Sequence, residues 1–113
     1  MTVNDIEEYG ADTAKGISRC MNNGGLYIRL VKMLAVEANF SKLSDSIDKG
    51  DLSAAFDAAH AIKGSAGNLA VTPIFEPICE ITELLRARTE TDYSALLNTI
   101  TEKRDELLRI CEA

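Results

Sequence analysis

His60 is the only histidine in the chain, and it stands in the run Ala59-His60-Ala61-Ile62-Lys63-Gly64-Ser65-Ala66-Gly67-Asn68-Leu69. The apolar spacing around it reads as helix, yet two glycines fall inside. Each glycine in a helix interior costs about 1 kcal/mol relative to alanine. Gly64 and Gly67 lie at i+4 and i+7 from His60, on the same helical stripe. A helix that weakens itself beside its one imidazole clears space for something to approach that imidazole. Lys63 at i+3 brings a cation whose stem can run along the helix while the ammonium reaches toward His60. Asp57 at i−3 flanks the histidine toward the helix start. Each neighbour also has a plainer reading. Lys63 and Asp57 serve equally as solvated charges, and Gly67 serves close helix packing or, with Asn68, an early helix end. Leu69 continues the apolar spacing and weighs against that early end.

An imidazole ordinarily titrates near pH 6.5, so at neutral pH it offers a nitrogen lone pair. Ser65 falls on the far side of the helix, so no nucleophilic triad assembles locally. A metal would need three or four converging ligands, and no second histidine exists to help. A site in mid-helix also lacks free backbone N–H groups, which rules out a phosphate cradle or an oxyanion hole. One nucleophilic nitrogen beside one cation suits a covalent carrier of an anionic group. The transition-state machinery would then come from a partner.

The spacing predicts four amphipathic helices preceded by a shorter one. The short helix covers about Thr13 to Met21, with Ala14, Ile17 and Met21 on one face, and Asn22-Asn23-Gly24-Gly25 ends it. A single long helix follows, capped by Asn23, with Leu26, Leu30, Met33, Phe40, Leu43 and Ile47 at three- and four-residue steps. At 1.5 Å per residue it runs about 35 Å and stops at Gly50, the left-handed residue after its last turn. The histidine helix starts at once from Asp51 or Ser53 and buries Leu52, Ala55, Phe56, Ala59, Ile62, Ala66 and Leu69. So short a joint makes these two helices antiparallel neighbours. About that apolar face, His60 points roughly 120° away, onto the outer surface. Thr72-Pro73 opens a further helix with the stripe Ile74, Ile78, Ile81 and Leu85; Pro77 predicts a bend there or a later start. The last helix carries Tyr93, Leu96, Leu97, Ile100, Leu107 and Cys111. No stretch alternates with period two. The expected fold is all-α, an antiparallel four-helix bundle with a short N-terminal helical extension, in one domain over residues 1–113.

Composition fits that reading, with 46% hydrophobic and 27% charged residues, enough for a core without staples. The net charge of −6 repels phosphate backbones and anionic lipid, so neither nucleic acid nor membrane is expected as a partner. The N-terminus has no basic stretch leading into an apolar one, and no apolar run reaches spanning length. A cytoplasmic, monomeric protein is expected. Cys20, Cys79 and Cys111 are far apart, form no C-x-x-C pair, and read as three buried thiols with neither a disulfide nor a zinc site.

At His60-x-x-Lys63-Gly64-Ser65-Ala66-Gly67-Asn68-Leu69 the sequence closely resembles the histidine-containing phosphotransfer (HPt) domain family of phosphorelays. Gly16, Arg19, Leu26 and Tyr27 resemble that family's approach to its long helix, and Gly50-Asp51-Leu52 its turn into the histidine helix. The resemblance covers roughly residues 12–88. It implies that His60 is phosphorylated on a ring nitrogen and exchanges the group with the aspartate of receiver domains, in response regulators or hybrid histidine kinases. Lys63 would pair with the phosphate and Gly64 leave room for it, while Asp57, Gly64 and Gly67 lie on the face where a receiver docks. The receiver would supply the magnesium, and no cofactor is expected on this chain. Two positions depart from the family's pattern. Ala70 stands where a glycine often follows Asn-Leu, and Pro77 interrupts a segment usually free of proline. With no room for a kinase domain and no glycine-rich nucleotide loop, the chain is not expected to phosphorylate itself from ATP. Two other readings remain: a helical adaptor with an incidental histidine, and an enzyme using His60 as general base, which needs a concave pocket holding a second catalytic group.

Overall fold

The structure is a computed structural model and describes residues 1–112. Its elements are α1 (Val3–Tyr9), α2 (Thr13–Arg19), α3 (Gly24–Ala35), α4 (Asn39–Asp48), α5 (Leu52–Asn68), α6 (Thr72–Arg86) and α7 (Ser94–Glu112). No strand occurs among the described residues. The chain is all-α, as the spacing predicts. α5 packs against α4 on one side and α6 on the other, and α7 closes the bundle against α6 and α3. α1 and α2 form the N-terminal extension.

The joints that follow α4 and α5 share one geometry. At the end of α4, the Asp51 N–H reaches back to the Ser46 carbonyl (2.8 Å) and that of Gly50 to Ile47 (3.0 Å). Gly50 between them has φ +72°. This is the left-handed helix end in which two carbonyls without helical partners find donors. Asp51 then caps α5 by accepting from the Ala54 N–H at 3.0 Å. The same pair of bonds ends α5, from Val71 to Ala66 (2.9 Å) and from Ala70 to Gly67 (3.1 Å). There the left-handed residue is Ala70, at φ +55°. The departure noted at Ala70 therefore leaves the helix end intact, with an alanine strained into a conformation that suits glycine.

The single long helix of the sequence reading is two helices, broken at Val36–Ala38. No glycine or proline marks the break. The N–H groups of Val36 and Glu37 turn to carbonyls three residues back, Met33 and Leu34. The Glu37 carboxylate then accepts from both the backbone and side-chain N–H groups of Asn39, at 3.2 and 2.9 Å. The interruption resets the phase of the buried face. α3 buries Tyr27, Val31, Leu34 and Ala35, whereas Met33, expected inside, is 58% exposed.

Other expectations are corrected at the N-terminus and among the thiols. α1 was not anticipated; Thr2 and Asp5 cap it reciprocally, and Ile6 is fully buried. α2 buries Thr13 and Gly16, while Ala14 is exposed and Met21, past the helix end, is 81% exposed. Of the three free thiols only Cys20 is buried; Cys79 and Cys111 are half-buried. α6 runs unbroken from Thr72 through Pro77, so the later start does not occur.

What seats α5 is its C-terminal end. The Gly67 carbonyl accepts from Arg19 Nη1 (2.5 Å), that of Leu69 from the buried Tyr27 hydroxyl (3.0 Å), and that of Ala70 from the Asp12 N–H (2.9 Å). Gly16 allows the approach, since a Cβ there would meet the Tyr27 ring and lie 2.5 Å from the Leu69 oxygen. Burial pushes the Tyr27 phenol up to about 12, with the nearby Cys20 and Asp12 adding in the same direction.

Two outcomes follow from these contacts. Ala70→Gly should raise stability by about 0.5–1 kcal/mol in urea denaturation, because relief of the left-handed strain exceeds the added chain entropy. The folded state also holds the Tyr27 proton more tightly than the unfolded chain does. That contribution to stability is therefore intact below pH 10 and lost as pH rises toward about 12. In Tyr27→Phe the alkaline fall in denaturation midpoint should flatten, leaving the share carried by Tyr9, Tyr93 and the Cys79 and Cys111 thiols, which burial also pushes up.

Candidate functional site

His60 occupies the middle of α5 and is exposed. Its backbone neighbours are engaged in helical hydrogen bonds, so the surface around the imidazole offers no free backbone donors. One turn before it, the Phe56 ring lies nearly parallel, with centroids 5.6 Å apart and planes inclined by 13°. Phe56 in turn carries two guanidinium groups from the end of α6, with Arg86 Cζ 5.0 Å and Arg88 Cζ 5.5 Å from its centroid. Both distances fall within cation–π range. Arg88 is further anchored by a 2.5 Å bond from Nη1 to the Leu85 carbonyl.

Lys63 is partly buried, and its ammonium is not free beside the imidazole as the sequence reading had it. It pairs with Glu83 of α6, Nζ to Oε1 at 3.8 Å. The Glu83 carboxylate also holds Arg86, at 3.4 Å from Nε. A connected set thus surrounds the histidine: Lys63, Glu83, Arg86, Phe56 and His60. The sequence reading missed three of its members in this role. The apolar spacing places Phe56 only in the buried stripe and is silent about Glu83 and Arg86. Antiparallel pairing could have found them, since Arg86 lies about as far after the α5–α6 joint as Phe56 lies before it.

The two glycines separate in their surroundings. A Cβ built on Gly64 meets nothing within 4 Å, so that position opens to solvent beside the histidine. A Cβ on Gly67 would stand 2.8 Å from Cε1 of Phe75 on α6, so Gly67 has a packing reason for its size. Asp57 and Ser65 are exposed. Among the described residues, His60 lines none of five surface hollows, the roomiest of which (about 350 Å³) lies at the α4–α5 joint between Gly50 and Tyr93. A general-base enzyme needs a concave pocket around its imidazole, whereas His60 stands exposed on the outer face of α5.

Compared with known proteins, the chain matches one family model, described as Hpt domain, over residues 33–111. That span holds His60, Lys63, Gly64, Gly67, Glu83 and both arginines; α1, α2 and most of α3 precede it. No curated protein and no solved structure matches the chain.

The contrast between the glycines is open to measurement. Gly64→Ala should stabilise the protein by up to about 1 kcal/mol, the full helix-propensity gain. At Gly67 that gain is offset by displacement of Phe75, so Gly67→Ala should be the less stable of the two. Urea denaturation of both variants beside the parent protein orders them.

Proposed function

From a chain that belongs to the Hpt domain family, whose members take part in phosphotransfer in two-component phosphorelays, we propose that His60 is the phosphoryl-accepting residue. The unprotonated ring nitrogen attacks the phosphorus of a receiver's aspartyl phosphate. An N–P bond forms, the acyl P–O bond breaks, and the carboxylate leaves as the aspartate of the receiver. Reversal passes the group onward. The observation that carries this reading is the exposed imidazole in mid-helix with open space over Gly64.

The remaining roles follow from position. Lys63, at i+3 from His60, and Arg86 and Arg88, over the ring stacked on it, are cations within reach of an incoming phosphoryl group, which brings nearly two negative charges. The receiver would dock on the convex face bearing Asp57 and Gly64, and it would supply the metal and the acidic residues of the transfer reaction. No helix is long and apolar enough to cross a membrane among the described residues. α1 and α2 belong to the same functional unit, a reading supported by the bonds of Asp12 and Arg19 to the end of the histidine helix and of Tyr9 to the Lys103 carbonyl on α7. Hpt domains are phosphocarriers without kinase activity of their own, and the same is proposed here.

Incubation with a phosphorylated receiver should place an acid-labile, base-stable phosphate on His60. His60→Gln should abolish acceptance while shifting stability by no more than about 0.5 kcal/mol, as expected of an exposed position. Retained phosphorylation in that variant would move the site elsewhere. Gly64→Leu should slow transfer without loss of fold, and an unchanged rate would remove the clearance role.

A further inference from the structure

Resting on the assignment of His60 as phosphoryl acceptor, we propose that Glu83 is a positioning residue that tunes how tightly the phosphorylated histidine is held. In the unphosphorylated protein its carboxylate pairs with Lys63 at 3.8 Å and with Arg86 at 3.4 Å. When a phosphoryl group arrives on His60, Lys63 leaves Glu83 for the new dianion.

The geometry makes the exchange accessible. Lys63 lies at i+3 from His60, where side chains on one helix meet, and its four-carbon stem swings freely. Arg86 touches the same carboxylate and also lies over Phe56, which stacks on His60. Glu83 therefore competes for the two cations that a phosphoryl group would recruit. Its side chain is 61% exposed and that of Lys63 is 32% exposed. Exposed pairs of this kind are weak, so they can be given up at room temperature. A phosphoryl group with nearly twice the charge of a carboxylate wins Lys63, yet it must displace Glu83 and then tolerate a negative neighbour. Both effects lower the hold on the group. A relay intermediate needs that, because a phosphoryl group held too firmly is not passed on. Arg88 is a built-in contrast, since the Leu85 carbonyl anchors it without Glu83.

The test uses phosphoramidate, a small donor that needs no partner protein. The ring nitrogen displaces ammonia from phosphorus: one N–P bond forms, the other breaks, and ammonia leaves. With added ammonium the reaction comes to equilibrium, and phosphorus NMR reads the phosphohistidine fraction at His60. Glu83→Gln should shift that equilibrium toward phosphohistidine by about two- to fivefold at low salt. The shift should shrink in high salt and in the Lys63→Ala background. A Glu83→Gln equilibrium equal to or below that of the parent protein overturns the proposal, as does a shift of the same size without Lys63. In those outcomes the parent protein still accepts the group at His60, so the carrier reading survives. If the parent protein takes no phosphate at His60 from phosphoramidate or from a phosphorylated receiver, the carrier reading fails with it. Circular dichroism melts of each variant identify any change due to folding alone.

Discussion

The bonds that Arg19, Tyr27 and Asp12 make to the carbonyl end of α5 fix where His60 stands. A helix can present a bare outer face only if its inner face and its ends are held by other elements. The last carbonyls of a helix have no partner within it, and leaving one buried without a donor costs about 1–3 kcal/mol. Here the donors come from α2, from α3 and from the turn before α2, so the N-terminal extension and the histidine helix are coupled through those carbonyls. Gly16 belongs to the same constraint, because only a residue without a side chain lets α2 settle onto Tyr27 and Leu69.

The inner face of α5 explains how the helix tolerates its glycines. It buries Ala55, Ala58, Ala59, Ile62 and Ala66, a surface of four alanines and one large side chain. Alanine is the strongest helix former, so these positions offset propensity lost at Gly64 and Gly67. Small side chains also let α4 and α6 approach from both sides, which makes α5 the most enclosed helix of the bundle. The two glycines then serve different ends. Gly67 extends the close contact to Phe75, whereas Gly64 contributes nothing to packing that would account for it. Its cost is unexplained by the fold, and access to His60 is the role proposed for it.

Much of this was legible in the residues. The outward position of His60, the Gly50–Asp51 joint and the stripe of α6 follow from periodicity, because helix phase carries over without interruption within each of those segments. The phase failed where the backbone changed without a glycine or proline to announce it. Glu37 ends one helix and starts another through its side chain, and nothing in the apolar spacing shows that. Ala70 and Arg88 both take left-handed conformations that glycine would have signalled. α1 was hidden because seven residues hold too few apolar positions to show a period, although the Thr2–Asp5 pair was a usable cap signal. At the site, the partner of Lys63 lies on another helix. Spacing within one helix predicts i+3 neighbours and is silent about which carboxylate of the next helix competes for them.

The charge around His60 runs against that of the chain. The protein carries a net charge of −6, yet the ring stacked on the histidine bears two guanidinium groups and the next turn bears Lys63. At physiological ionic strength charges are screened over about 8 Å, so a group at His60 responds to these neighbours far more than to the acidic residues dispersed elsewhere. Phe56 offers both arginines an aromatic face, while Glu83 also holds Arg86 and the Leu85 carbonyl holds Arg88. A cation–π contact holds a guanidinium near an aromatic face while leaving its N–H groups available for other acceptors. A carboxylate in the same place would have occupied those N–H groups and added a charge that repels phosphate. Glu83 does so in part, by pairing with Lys63 and Arg86, while Arg88 keeps to the Leu85 carbonyl and the face of Phe56.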